Sequence, residues 1–264
     1  MVRINVHKIF RNKHTMLLAC DQGLEHGPSD FNAQNIDPEY IFNIALEANY
    51  SGVIFQHGIA EKYHGEHYRE VPLIVKLNGK SNLSNVPPLS HLLCSVERAI
   101  KLGASAVGYT IYPGSPEEQT MLVELSKIVD KAHDYGLPVI VWNYPRGPGI
   151  NEMDTNTIAY GARMALEMGA DVIKLKYNGD AEGFKWITKC AGRARVIISG
   201  GDHTDHRTLL THAFDSIQSG GRGIAVGRNV WQDPMPFSVS KALEQVIFHN
   251  KTVDEAMQFL NENK

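Results

Sequence analysis

Eight short apolar runs, each followed by a polar or glycine-bearing loop, leave this chain few ways to fold. They occupy 16–21 (MLLACD), 52–56 (GVIFQ), 72–77 (PLIVKL), 104–109 (ASAVGY), 138–142 (PVIVW), 171–176 (DVIKLK), 195–199 (RVIIS) and 223–227 (GIAVG). None alternates strictly between polar and apolar residues, the pattern of parallel strands covered on both faces. Amphipathic stretches fill the gaps. Asp37-Pro38-Glu39 reads as an N-cap before a first-turn proline, opening a helix over 37–50. Ser115-Pro116-Glu117-Glu118 reads as a capping box, and Met121, Leu122 and Leu125 as the core positions behind it. Ala162, Met164, Ala165, Leu166 and Met168 supply another apolar stripe, and 206–219 and 238–260 read as helical, the latter broken near Lys251-Thr252.

Eight strands alternating with helices fit either a closed barrel or an open doubly wound sheet. The open dinucleotide fold wants GxGxxG after its first strand, and the glycines around Gly23 and Gly27 do not supply it. The expectation is therefore an α/β protein: one (β/α)₈ TIM-barrel domain over 1–264, with a lead-in (1–15) and C-terminal helices (238–260). A length of 264 residues suits that architecture.

A formal net charge of -3 supplies no chain-wide basic field for nucleic acid. Three cysteines (Cys20, Cys94 and Cys190) with no CxxC spacing suit a reducing, cytoplasmic setting and offer neither a disulfide framework nor a zinc knuckle. The longest apolar run near the start, Met16 to Cys20, is too short for a signal peptide or membrane anchor.

In a barrel of this kind the chemistry sits at the C-terminal strand ends. Asp21 ends the first run, with Gln22, Glu25 and His26 beyond it, and Gln56 ends the second. Trp142, Tyr144 and Arg146 follow the fifth, Lys174 and Lys176 the sixth, Ser199-Gly200-Gly201 the seventh and Gly227-Arg228-Asn229 the eighth. Lys174 and Lys176 share a strand face, about 7 Å apart at ~3.3 Å per residue. Helices cover the outer face, where two ammonium groups would be costly, so the pair points into the barrel mouth. Crowded cations and apolar surroundings both depress a lysine pKa, and a neutral amine can condense with a ketone to an imine. The other reading is two lysines that only bind phosphate or carboxylate.

Tyr144 is a candidate proton donor or acceptor and Arg146 a phosphate clamp, although Trp142 and Tyr144 also suit ordinary rim aromatics. Glycines after the seventh and eighth strands let backbone amides approach a phosphate. Asp21 is a candidate catalytic carboxylate and His26 a candidate phosphate ligand, with loop hydrogen bonding as the alternative for both. Asp202, His203, Asp205 and His206 invite a metal reading, but such clusters are more often solvated loops. Arg193–Arg195 reads as a solvated connector.

These residues sit in longer motifs: LACDQGLEHGPSDF (18–31), FQHGIAEKY (55–63), KLNGK (76–80) and GASAVGYTIYPGS (103–115), then VWNYPRG (141–147), DVIKLKY (171–177), ISGG (198–201) and GIAVGRNVWQ (223–232). Over about 16–232 the chain resembles the archaeal-type class I fructose-bisphosphate aldolases, within the DeoC/LacD-like group of Schiff-base barrels. The resemblance implies that Lys174 forms the Schiff base, that Tyr144 is the proton donor, and that Asp21 and Trp142 shape the reacting centre. It implies substrate or phosphate contacts from Gln22, His26, Gln56, Arg146, Lys176, Ser199, Gly200, Gly201, Gly227 and Arg228. It also implies no metal or other cofactor, and large homo-oligomers, often decamers. The chain departs from the family pattern at Gln22, where histidine is common, and at Asp202-His203, where Pro-Lys is frequent.

The expected reaction is reversible cleavage of fructose 1,6-bisphosphate to dihydroxyacetone phosphate and glyceraldehyde 3-phosphate, a step of glycolysis and gluconeogenesis. The alternative keeps the lysine but changes the substrate: a related Schiff-base lyase, transaldolase or thiolase for another phosphorylated ketose or diketone. A metal-dependent aldolase and a non-enzymatic phosphosugar-binding protein come after these. No nucleic-acid or membrane partner is expected.

Overall fold

The computed structural model describes residues 4–65, 68–83 and 87–263. All eight apolar runs are strands: β1 (Thr15–Ala19), β2 (Gly52–Gln56), β3 (Leu73–Lys76), β4 (Ala104–Ile111), β5 (Val139–Asn143), β6 (Val172–Leu175), β7 (Arg195–Ser199) and β8 (Gly223–Val226). Each pairs in parallel with its chain neighbours, and β8 pairs back onto β1 (Thr15 opposite Gly223), so the sheet closes. It is the (β/α)₈ barrel.

Helices alternate with the strands and their ends follow from local chemistry. Asp37 accepts from the Glu39 amide (3.0 Å) ahead of Pro38, starting a helix at Pro38–Glu47. Asp154, Asp180 and Asp205 cap Thr155–Glu167, Ala181–Cys190 and His206–Gln218 in the same way. The expected break near residue 251 is real. Asn250 turns left-handed (φ 53°) after Pro236–His249, and a Thr252–Glu255 capping box restarts the chain as Val253–Glu262.

One local expectation is corrected. The 115–118 capping box does not form, because Ser115 Oγ accepts from Glu117 N and the Glu118 carboxylate reaches back to Gly114 N. That closes a turn, and the helix proper is Glu118–Asp134. The described part of the 1–15 segment reaches the barrel. A 3₁₀ turn at Val6–Lys8 brings Val6, Ile9 and Phe10 into the apolar cluster inside the barrel, sealing its N-terminal end.

The alternation of side chains splits the core in two. Leu17, Ile54, Ile74, Ala106, Ile140, Val172, Ile197 and Ala225 fill the barrel interior, whereas Ile173, Leu175, Val141 and Val75 pack outward beneath the helices. One residue step therefore moves a side chain from one core to the other. Two steps up from the interior layer, on the same face, lie Ala19, Lys76, Trp142 and Lys174.

Candidate active site

The barrel mouth holds a cavity of about 730 Å³. Of the residues singled out in the sequence, Asp21, Gln22, His26, Trp142, Tyr144, Arg146, Lys174, Lys176, Ser199, Gly200, Gly201, Gly227 and Arg228 all line it. Gln56 does not. Its side-chain amide donates to the Asn78 carbonyl (3.0 Å), supporting a short antiparallel pair between Asn78–Gly79 and His91–Leu92 that had no counterpart among the apolar runs.

Lys174 is 5% exposed, at the end of β6. Its Nζ stands 4.9 Å from the centre of the Trp142 ring, and Lys76 Nζ stands 5.3 Å from the same ring. The indole can lie there because β4 carries glycine against the ring, opposite Ile140: a methyl on Gly108 would fall 2.1 Å from it. Burial is the main cause that lowers the Lys174 pKa to about 8, and Lys76 lowers it further, while Asp21 opposes both. At neutral pH that shift gives roughly three-hundred-fold more free amine than an ordinary lysine has. The second cation is thus Lys76 and not Lys176. Lys176 Nζ is held by Glu152 (2.7 Å), whose other oxygen faces Arg146 Nε at 3.8 Å.

Lys76 was absent from the sequence-derived set although the strand-end argument applies to it equally. It ends β3, points inward and is 3.6 Å from Asp21. Glu152 was also absent, and Asn229 was placed at the end of the eighth run without a role, because both roles come from loop closure. Asn229 Nδ2 donates to the carbonyls of Gly200 (2.8 Å) and Asp202 (2.9 Å), and its Oδ1 accepts from Thr204 N (2.8 Å), so the β7 and β8 loops are stitched together.

Tyr144 is half-buried, and its phenol is pushed well above the usual range, first by burial and then by Asp21; a hydrogen bond with Ser199 pulls the other way. The phenol therefore stays protonated at any ordinary pH. Arg146 lies 5.1 Å from the Tyr112 ring and 5.9 Å from that of Tyr144. Two buried donors, Gln22 Nε2 and Trp142 Nε1, have no hydrogen-bond partner among the described residues. Unpaired buried donors are costly in a finished core, and both belong to residues that line the cavity.

On the opposite rim, Arg228 faces Asp202 (3.2 Å) and Asp30 (3.8 Å), and Asp30 also takes His26 Nδ1 at 2.6 Å. Asp202 is thus a paired carboxylate. Gly200 N is spent on the Ala225 carbonyl (3.0 Å), while Gly201 takes a left-handed conformation (φ 70°). Gly227 passes so close to β1 that an added Cβ would lie 2.8 Å from the Ala19 carbonyl. The four residues of the metal reading take separate partners: Asp205 caps a helix, His206 binds Asp233 (2.6 Å), Asp202 binds Arg228, and His203 lines the cavity. Among the described residues, no group of three or more histidine, cysteine or acidic side chains is placed to hold a metal. No helix among them is long and apolar enough to cross a membrane.

A buried amine of depressed pKa beside a protonated phenol, a carboxylate and flanking cations can condense with a carbonyl and hold anionic groups nearby. Residues 15–233 match the model of the DeoC/LacD family aldolases. The class 1 fructose-bisphosphate aldolase of Thermoproteus tenax is 47% identical over 251 residues, 94% of each chain. That of Halobacterium salinarum is 42% identical over 252 residues, covering 94% of this chain and 96% of its own. A solved archaeal fructose-1,6-bisphosphate aldolase, with its catalytic lysine covalently bound to the carbinolamine intermediate of the substrate, superposes with a TM-score of 0.87. It is 47% identical and covers 91% of this chain and 96% of its own.

Proposed function

Since the chain belongs to the DeoC/LacD family of aldolases, we propose that it is a class I fructose-bisphosphate aldolase working through an imine on Lys174. The observation that carries the assignment to Lys174 is its nearly buried amine, with a pKa near 8, on the wall of the mouth cavity.

The neutral fraction of Lys174 attacks the C2 carbonyl of the open-chain bisphosphate to give a carbinolamine. Loss of water leaves an imine whose nitrogen, once protonated, draws electrons as the C3–C4 bond breaks, the C4 hydroxyl passing its proton to the Asp21 carboxylate in the cavity wall and leaving as the aldehyde. Tyr144, kept protonated by burial, delivers the proton that the remaining enamine needs at C3. Asp21 sits between the roles of counter-charge and orienter, 3.6 Å from Lys76 and close enough to oppose the depression of the Lys174 pKa. Gln22 Nε2 and Trp142 Nε1 offer unspent donors to sugar oxygens. Arg146 and Lys176 serve one phosphate, and Arg228, His26, Gly201 and the Ser199–Gly201 and Gly227 loops serve the other. Both clusters already carry counter-carboxylates, so an arriving phosphate exchanges one anion for another and leaves no bare cation behind.

Sodium borohydride with dihydroxyacetone phosphate should add a reduced covalent mass on the peptide containing Lys174, and activity should survive EDTA. An active preparation that yields no such adduct rules the mechanism out. A panel of phosphorylated ketoses should show fructose 1,6-bisphosphate as the preferred substrate; preference for another ketose or a diketone keeps the imine and changes the substrate. We place the enzyme in central sugar metabolism, in a reducing cytoplasm, on its three free cysteines. Exposed Tyr160 and Trp186, on adjoining helices, support a homo-oligomer.

A further inference from the structure

At the end of the barrel away from the mouth lies a second cavity, of about 490 Å³, lined by Lys13, Arg193, Arg195 and Arg222 together with Asn12 and Thr188. No carboxylate lines it. Among the described residues none of the four cations has an acidic partner within ion-pair distance, on a chain whose formal net charge is -3. At the mouth the situation is reversed, since Lys76, Arg146, Lys176 and Arg228 each face a carboxylate. Two of its four cations stand on backbone held by the barrel. Arg222 is pinned through its backbone between β1 and β7, its carbonyl accepting from Thr15 N (2.8 Å) and its amide donating to Val196 O (2.7 Å). Arg195 is tied to the Asp171 carbonyl through its amide (3.0 Å) and lays its guanidinium 5.3 Å from the Phe10 ring. The nearby His14 has its pKa lowered, first by burial and then by Arg222 and Lys13.

Holding cations together without counter-charge is unfavourable unless an anion arrives, and guanidinium forks match phosphate oxygens in pairs. We propose that this cavity is a second binding site, for a small phosphorylated polyanion of the diphosphate class. The 193–195 stretch is then a ligand-binding wall and not merely a solvated connector. The site lies roughly 13 Å or more from the mouth, the length of the strands that separate them, so the two can be varied independently.

Inorganic pyrophosphate is a suitable probe, titrated calorimetrically at constant ionic strength into the intact enzyme and into a Lys13→Glu/Arg193→Glu double variant. Both substituted side chains are exposed, so the variant should fold, with steady-state cleavage within about two-fold of the parent as its check. The catalytic cavity is the same in both proteins, so any difference reads the second site alone. The expected result is an extra class of pyrophosphate sites in the parent, weakened at least about ten-fold in the double variant and kept in Lys13→Arg/Arg193→Lys. At ten times Kd, pyrophosphate should raise the parent Tm by roughly 3–5 °C. Identical titrations in parent and double variant overturn the proposal, as does a Tm rise that potassium chloride reproduces at matched ionic strength.

Discussion

Two layers inside the barrel, two residues apart on the same strands, do opposite things. The lower layer, with Ile74, Ile140, Val172 and Ile197, is an apolar filling with nothing to titrate. The upper layer replaces those side chains with Lys76, Trp142, Lys174 and Ser199 on β3, β5, β6 and β7. Strand geometry is common to both, so what changes is the solvent boundary and the loops above it. Close packing below gives the upper layer a dry and rigid floor. Burial on that floor, more than any single charge, sets the basicity of Lys174. The apolar layer is thus part of the chemistry, since it creates the environment that lowers the pKa of the amine.

The strongest way to break the contrast is to make the upper layer apolar too. Lys174→Met should lower kcat/KM by roughly four orders of magnitude or more, measured by coupled cleavage assay, while raising thermal stability. The sign follows from linkage. With a folded pKa near 8 and an unfolded value near 10.5, the folded state binds fewer protons between those limits. Stability associated with this group therefore rises across that window and is lost as pH falls through about 8. The Tm advantage of Lys174→Met should accordingly be full below pH 8 and fade towards pH 10.5. In the unsubstituted enzyme, kcat/KM should fall on the acid side with an apparent pKa near 8.

Tyr144→Phe comes next. It should reduce kcat by about 10²–10⁴-fold while leaving the borohydride adduct on Lys174, which separates proton transfer from imine formation. A pair of substitutions then tests the layers against each other. Ile197→Ala should cost about 2–5 kcal/mol of stability with a modest change in kcat, read from denaturant melts and kinetics on one preparation. Gly108→Ala, which forces the Trp142 ring aside, should cost only about 1–3 kcal/mol and yet lower kcat more. Equal effects of the two on kcat would show that the floor and the indole are not separable. The smallest effect is expected from Asp202→Asn. Its carboxylate is 97% exposed against Arg228, and an exposed ion pair contributes about 0–1 kcal/mol, so KM should stay within a few-fold.

The fold was legible because burial on both strand faces writes itself as continuous apolar runs, and eight of them were present. Lys174 was legible as a cavity-facing residue because parity along a strand is local, and Tyr144 and Arg146 because they follow directly on the end of β5. The parts that escaped depend on contacts between distant segments. Glu152 meets Lys176 and Arg146 only when the loop after β5 folds back, and Asn229 meets Gly200 only when two loops converge. Gln56 misled for a related reason: it does end a strand, but the Asn78 backbone captures it before it can reach the cavity. Val6 to Phe10 carry no strand or helix periodicity, so their place inside the barrel could not be read from pattern. Lys76 is different, since the parity that exposed Lys174 was enough to find it.

The plug of Val6, Ile9 and Phe10 makes the reaction chamber a blind alley. Whatever enters must leave by the door it came through. On the proposed chemistry, the half of the sugar bonded to Lys174 is held by its imine until water releases it, whereas the aldehyde half is free once the carbon–carbon bond breaks. Departure is then sequential, aldehyde first and ketone last, and traffic in the condensing direction must queue in the opposite order.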